Sequence, residues 1–152
     1  MDNKCNDKYN DKYNLNRFVK AQEQFFDSAY AEISSGRKRG HWMWFIFPQL
    51  KELGYSETAL FYGITCLEEA REYLKNDYLR QNLMKITRAL LDLPKDERHS
   101  DPEMIMGRID DLKLQSSMTL FANATDDNEL FLDVLKRYYH SRPCQRTLEL
   151  IV

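Results

Sequence analysis

No apolar run in this chain approaches the length of a membrane span, so nothing in it calls for a bilayer. An apolar signal segment is also missing at the start, and the three cysteines (Cys5, Cys66 and Cys144) are scattered, odd in number and without metal-ligand spacing. Together these absences point to a reduced, cytoplasmic protein. Charge of one sign is lacking as well. The 22 lysines and arginines meet 24 aspartates and glutamates, for a net charge of −2. No global field therefore recruits nucleic acid or anionic membrane, and any attraction for anions has to be local. There is no phosphate loop, no dinucleotide fingerprint, no metal triad and no nucleophile elbow, and His99 and His140 lack ligand spacing. Neither a cofactor nor a metal is expected.

What the chain has is aromatic and apolar content in one place. Its 152 residues fit a single domain, a size at which roughly 68–70% of the unfolded surface can be buried. Both tryptophans fall in Arg37-Lys38-Arg39-Gly40-His41-Trp42-Met43-Trp44-Phe45-Ile46-Phe47-Pro48-Gln49, where three cations run into six consecutive apolar residues. Tryptophan and phenylalanine bury large areas, so Trp42 to Phe47 belongs inside, and the basic edge lies where the buried run meets water. Aromatic content favours a strand here, but no second convincing strand exists to pair with it, and a lone strand leaves backbone donors unsatisfied. The stretch is therefore expected to be a short buried helical segment stopped by Pro48, with Trp42 facing the same way as Phe45 and Ile46, and Trp44 the same way as Phe47.

Along the chain, residues 1–13 form a polar leader in which Asp7-Lys8-Tyr9-Asn10 repeats as Asp11-Lys12-Tyr13-Asn14. Such a stretch cannot offset its ordering entropy, and its removal is expected to change stability by no more than about 0.5 kcal/mol. Residues 14–152 read as one helical domain. Asn14 is the expected cap of a first helix, with Phe18, Phe25, Phe26, Ala29 and Ile33 at helical spacing and Gly36 as the stop. Arg17 and Gln22 interrupt that stripe and are read as solvated or capping groups, against the alternative that they point into the site. Further on, Ser56 caps a short helix, and Thr65 with Glu68 forms a capping box. Asn76 or Asp77 opens a helix bearing Leu79, Leu83, Ile86 and Leu90. Pro102 begins a short helix closed by Gly107, a helix starts near Asp110, and Asp126 or Asp127 caps the next. The sum is an all-α, compact multihelical array of seven or eight helices, followed by an apolar closing segment.

Lys113, Ser116, Ser117 and Leu120 share a face beside the apolar stripe Leu114, Met118 and Phe121. Lys113 with the two serines has the parts of a serine–lysine nucleophile, which needs a neutral amine near the hydroxyl. Serines inside a helix more commonly bond back to a carbonyl, so ligand contact is the better reading for them. Asp110 and Asp111 cap this helix or supply a carboxylate for acid–base work. His41 is either a proton donor or anion contact at a pocket mouth, or simply a hydrogen-bonded structural histidine. Lys38 and Arg39 can hold phosphate or carboxylate, against the alternative of a solvated basic turn.

The blocks His41-Trp42-Met43-Trp44-Phe45-Ile46-Phe47-Pro48-Gln49 and Lys113-Leu114-Gln115-Ser116-Ser117-Met118-Thr119-Leu120-Phe121 resemble those of the bacterial domain-of-unknown-function family 1810, sometimes labelled calpastatin-like. The resemblance runs from about Asn14 to Leu150 and includes Ala21-Gln22 and Phe61-Tyr62-Gly63-Ile64. It implies a helical fold and brings no reaction or ligand with it. Leu60 stands where a polar or basic residue is expected. The calpastatin label does not suit a chain this rich in core aromatics and helix caps.

Two functions fit these residues. One is a pocket for a small anionic ligand, nucleotide-like or phosphorylated, bound or turned over by Lys38, His41, Trp42, Trp44, Gln49, Tyr62, Lys113, Ser116 and Ser117. The other is a protein-interaction module using Arg37–Gln49. The first requires the central block and the Lys113 helix to share a cleft, with Lys38 or His41 within about 8–10 Å of Lys113, Ser116 or Ser117, a span one small ligand can bridge.

Overall fold

The computed structural model describes residues 11–152, so most of the expected polar leader lies outside the described residues. Among the described residues nine α-helices carry the fold: α1 (Asn16–Ser34), α2 (Met43–Ile46), α3 (Glu57–Tyr62), α4 (Leu67–Lys75), α5 (Asp77–Leu91), α6 (Pro102–Met106), α7 (Asp110–Ala122), α8 (Glu129–Tyr139) and α9 (Gln145–Leu150). The all-α reading holds. The additional helix is α9, the closing segment that the sequence marks only as apolar. No helix among the described residues is long and apolar enough to cross a membrane.

An aromatic chain runs through the core. Phe18 of α1 meets Tyr73 of α4 edge-on at 5.1 Å between ring centroids, Tyr73 meets Phe121 of α7 at 5.2 Å, and Phe121 meets Phe131 of α8 at 6.0 Å. All four residues are buried, and such pairs add roughly 0.5–1.5 kcal/mol each beyond their buried area. Burial pushes the Tyr73 hydroxyl well above its ordinary value. Around this chain α1 packs on α5 and α2, α5 on α4 and α8, and α7 on α6, α8 and α9.

Several caps differ from the expected ones. Helix α1 is capped not by Asn14 but from outside, by Asp11, whose carboxylate accepts from Leu15 N at 2.7 Å and Asn16 N at 2.8 Å. Tyr13 packs against the core, so residues 11–13 belong to the folded unit. The acid of the Thr65 capping box is Glu69 rather than Glu68. It accepts from Thr65 N at 2.9 Å and Thr65 Oγ1 at 2.8 Å. Asn128, not Asp126 or Asp127, occupies the cap position of α8. Ser56, Asn76 and Asp101 cap α3, α5 and α6 with their side chains.

Arg17 and Gln22 are not solvated but buried, and of the two only Arg17 caps, at the carbonyl end of α3 rather than within α1. The Arg17 guanidinium donates to the carbonyls of Tyr13 (2.5 Å), Asn14 (2.8 Å), Phe61 (2.8 Å) and Gly63 (3.2 Å) and pairs with Glu69 at 2.8 Å. It joins the start of α1 to the end of α3 and to α4. Gln22 donates to the Phe45 carbonyl at 2.8 Å and to Tyr73 Oη at 2.9 Å, and it accepts from Asn82 at 3.0 Å. A polar side chain in the core is tolerable when its donors and acceptors are met, and here they are.

Candidate functional site

The central stretch does form a short buried helix, α2, followed by Pro48. Its backbone is completed by tertiary contacts, because one turn of helix leaves most of its end groups unpaired. Gln22 takes the Phe45 carbonyl. Beyond Pro48 the chain makes a single parallel bridge, with Ile64 N donating to Gln49 O at 2.9 Å and Lys51 N to Ile64 O at 2.8 Å. The tryptophans do not divide as expected: Trp42 packs with Phe47 at 6.2 Å, while Phe45 sits against Phe25 and Tyr62 at 5.5 and 5.1 Å. Trp44 fills the space beside Gly54, where an added Cβ would lie 2.6 Å from its ring. Four residues form too short a helix for periodicity to assign its faces.

The basic segment ahead of α2 is built around Glu32. Gly36, at φ +88°, ends α1 and lets the chain reverse. One Glu32 oxygen then accepts from Arg39 N at 2.8 Å, Gly40 N at 2.9 Å and Trp42 Nε1 at 2.9 Å. Burial acts to raise the Glu32 carboxyl, but the N–H groups of Gly40, Arg39 and Trp42, with the nearby Lys38, outweigh it and hold it below its usual range. Lys38 N donates to Ile105 O at 2.7 Å, which presses the segment onto α6.

Lys38 is thereby aimed at the N-terminal end of α7. Its ammonium donates to the Gly40 carbonyl, lies 4.7 Å from the Trp42 ring centroid and pairs with Asp110 Oδ2 at 2.8 Å. The other oxygen of Asp110 holds Lys113 at 3.2 Å, and the Lys113 ammonium lies 5.6 Å from the Trp44 centroid. Two lysines from distant parts of the chain thus converge on one carboxylate, each beside a tryptophan ring. The Lys38 side chain is 6% exposed and that of Lys113 27%, so one cation is almost covered and the other opens to solvent. Cations near aromatic faces gain about 0.5–1 kcal/mol when exposed and more when desolvated.

The remaining expected site residues are placed as follows. Trp42 and Trp44 are core residues, and His41 is exposed beside them. Gln49 is buried, its carbonyl taken by Ile64. Tyr62 is half-buried against Phe18 and Phe45, next to the Arg17 network. Ser116 donates back to the Leu112 carbonyl at 3.1 Å and contacts Cys144 Sγ at 3.3 Å. Ser117 is fully buried, and its hydroxyl has no hydrogen-bond partner. At 100° per residue, Asp110, Lys113 and Ser117 fall on one stripe of α7. The structure therefore brings Lys38, Trp42, Trp44 and Lys113 together. Among the described residues, no hydrogen bond, ion pair or ring contact joins Gln49, Tyr62 or Ser116 to them. With Lys113 held by Asp110 and Ser116 turned to a carbonyl, the geometry of a serine–lysine nucleophile is absent among the described residues.

Sequence reasoning gave Asp110 only a capping or acid–base role, although its spacing to Lys113 matches an i,i+3 ion pair. It missed Glu32 and Ile109 entirely. Ile109 has φ +81° and ψ −49°, a region that a β-branched residue occupies only under strain of about 1–3 kcal/mol. That strained residue directly precedes Asp110. A separate groove of about 860 Å³ shares no residue with the lysine cluster. It is lined by Leu91, Lys95, His99, Asp133 and Lys136, among others. Its Arg137 is consumed by the carbonyls of Leu91, Pro94 and His99, which makes that residue a strut of the 94–99 loop.

No curated protein matches the chain. A solved structure does: the conserved hypothetical protein Rv1873 from Mycobacterium tuberculosis is 47% identical, with a TM-score of 0.88 over 93% of this chain and 98% of that one. Residues 12–151 match the model of a family described as "Protein of unknown function (DUF1810)", and the chain belongs to that family.

Proposed function

We propose that this domain binds a small anionic ligand, taking a phosphoryl or carboxylate group at the cluster of Lys38, Asp110 and Lys113. One observation carries the reading. Two ammonium groups share a single carboxylate; the Glu32 carboxylate lies near Lys38, which leaves Lys113, the more exposed of the two, with only the shared Asp110 as its counter-charge. A second anionic group at the open side of Lys113 completes the balance with charge-assisted hydrogen bonds. Because the lysines lie over the tryptophan rings, recognition falls on the anion rather than on stacking of a flat group. We place this binding in the cytoplasm, where a free exposed thiol such as Cys66 stays reduced.

The test is titration of the intact protein with inorganic phosphate and with a nucleoside monophosphate, followed by calorimetry and tryptophan fluorescence. The only two tryptophans lie under the lysines, so binding is expected to change the emission. Lys113→Ala should weaken binding by about tenfold or more, the worth of a hydrogen bond to a charged group. Absence of heat and of any fluorescence change at millimolar ligand would overturn the reading.

A further inference from the structure

The segment between α8 and α9 is laid onto α7. His140 and Ser141, at φ +55° and +63°, turn the chain back after α8. Gln115 Nε2 then donates to Arg142 O at 2.9 Å, and Cys144 N donates to Thr119 Oγ1 at 2.9 Å. Cys144 is thereby pinned to α7, half-buried, with its sulfur 3.3 Å from Ser116 Oγ. Burial pushes the Cys144 thiol up, but the hydroxyls of Ser116 and Thr147 and the N–H groups of Thr147 and Arg146 outweigh it and hold the thiol below its usual range. The Ser116 hydroxyl has one proton to give and two acceptors, Leu112 O at 3.1 Å and the sulfur. It serves the carbonyl beside a thiol and the sulfur beside a thiolate. Thr147 is fully buried, and its hydroxyl has no hydrogen-bond partner among the described residues. Such a group costs free energy, and the sulfur it faces accepts strongly only when charged. None of these groups is a base. They stabilise a thiolate without supplying the proton acceptor that acyl transfer needs, which suits chemistry a thiolate performs alone.

We propose that Cys144 is an oxidation site for small hydroperoxides, its sulfur taking one peroxide oxygen and the orphan Thr147 hydroxyl donating to that oxygen. The thiolate attacks the terminal oxygen, an S–O bond forms and the O–O bond breaks. With hydrogen peroxide the leaving hydroxide takes up the proton released by the thiol and departs as water. The sulfur is oxidised to the sulfenic level and the peroxide is reduced by the same electron pair. The new oxygen is the acceptor that Thr147 lacks. The inference is independent of the anion-binding reading, since neither Lys38 nor Lys113 takes part.

The experiment treats the full chain, carrying Cys5→Ser and Cys66→Ser so that Cys144 is its only thiol, with hydrogen peroxide in the presence of dimedone. Mass spectrometry is expected to show a single dimedone adduct, on Cys144. The pH profile of alkylation by iodoacetamide should have its midpoint below the ordinary thiol value of about 8.5. Thr147→Val should slow the peroxide reaction by about tenfold, the worth of a hydrogen bond to a charged group, and move the midpoint up. Ser116→Ala should act in the same direction. Thr147→Ser, which keeps the hydroxyl, should restore both readings, a recovery that a packing role alone would not give. Absence of the adduct on the folded protein, or a midpoint at or above the ordinary value, overturns the inference. Unchanged peroxide rates in Thr147→Val and Ser116→Ala proteins that fold by circular dichroism overturn it as well.

Discussion

Glu32 shows how much a single carboxylate can organise. With one oxygen it gathers the N–H groups of Arg39, Gly40 and Trp42, and so shapes the segment that delivers Lys38 to Asp110. Its carboxyl titrates below the ordinary 4.5 in the folded state, which makes its contribution dependent on pH. A depressed carboxyl contributes fully above its unfolded value and loses that contribution as pH falls through the folded one. The melting temperature should therefore decline as the pH is lowered from about 4.5, and Glu32→Gln should show a shallower decline. At neutral pH the substitution should cost about 1 kcal/mol in urea denaturation, since the amide keeps one accepting oxygen but loses the charge. Parallel pH curves for the two proteins would show that Glu32 carries no such linkage.

Among the elements, the apolar periodicities of α1, α5 and α8 could be read directly, because each buries a stripe whose spacing repeats over several turns. Helix α7, by contrast, is buried on every side from Ser116 to Ala122 and showed only part of its core in its apolar spacing. Phe18, Ile33, Leu83, Leu114 and Phe131 all lie in the core as that spacing requires. Polar residues with distant partners could not be read in this way. Arg17 looks like a solvated interruption until Phe61, Gly63 and Glu69 are brought to it. The site follows the same rule: the convergence of Lys38 and Lys113 was expected from their residue types, whereas Asp110 as their shared partner emerges only when α7 lies beside the basic segment. The start of α1 is a third case. Its cap sits in the polar leader, so truncation through residue 13 would remove a structural group. Asp11→Ala should destabilise the protein by about 1 kcal/mol, the usual worth of a cap, readable as a lower urea midpoint at unchanged slope. An unchanged midpoint would mean that α1 does not depend on Asp11.

For the molecule as a whole, the buried pair of Arg17 and Glu69 is the tie among α1, the end of α3 and α4. Their side chains are 6% and 1% exposed, so removal of one partner leaves the other charge stranded. Arg17→Ala should cost about 3–5 kcal/mol, an amount visible as a large fall in melting temperature. A loss below 1 kcal/mol, the range of exposed pairs, would show that water reaches Glu69 in the variant. Apart from its two contacts at the start of α1, every partner of Arg17 lies at least 44 residues away along the chain. A loop of that length has to close before any of these bonds is rewarded, whereas α1 and α5 can grow from local contacts. The tie therefore belongs to the late part of folding. In a chevron plot, Arg17→Ala should steepen nothing and slow folding little, while raising the unfolding rate by nearly the whole equilibrium loss. Arg17 then sets how long each folded molecule lasts before it opens, more than how quickly it forms.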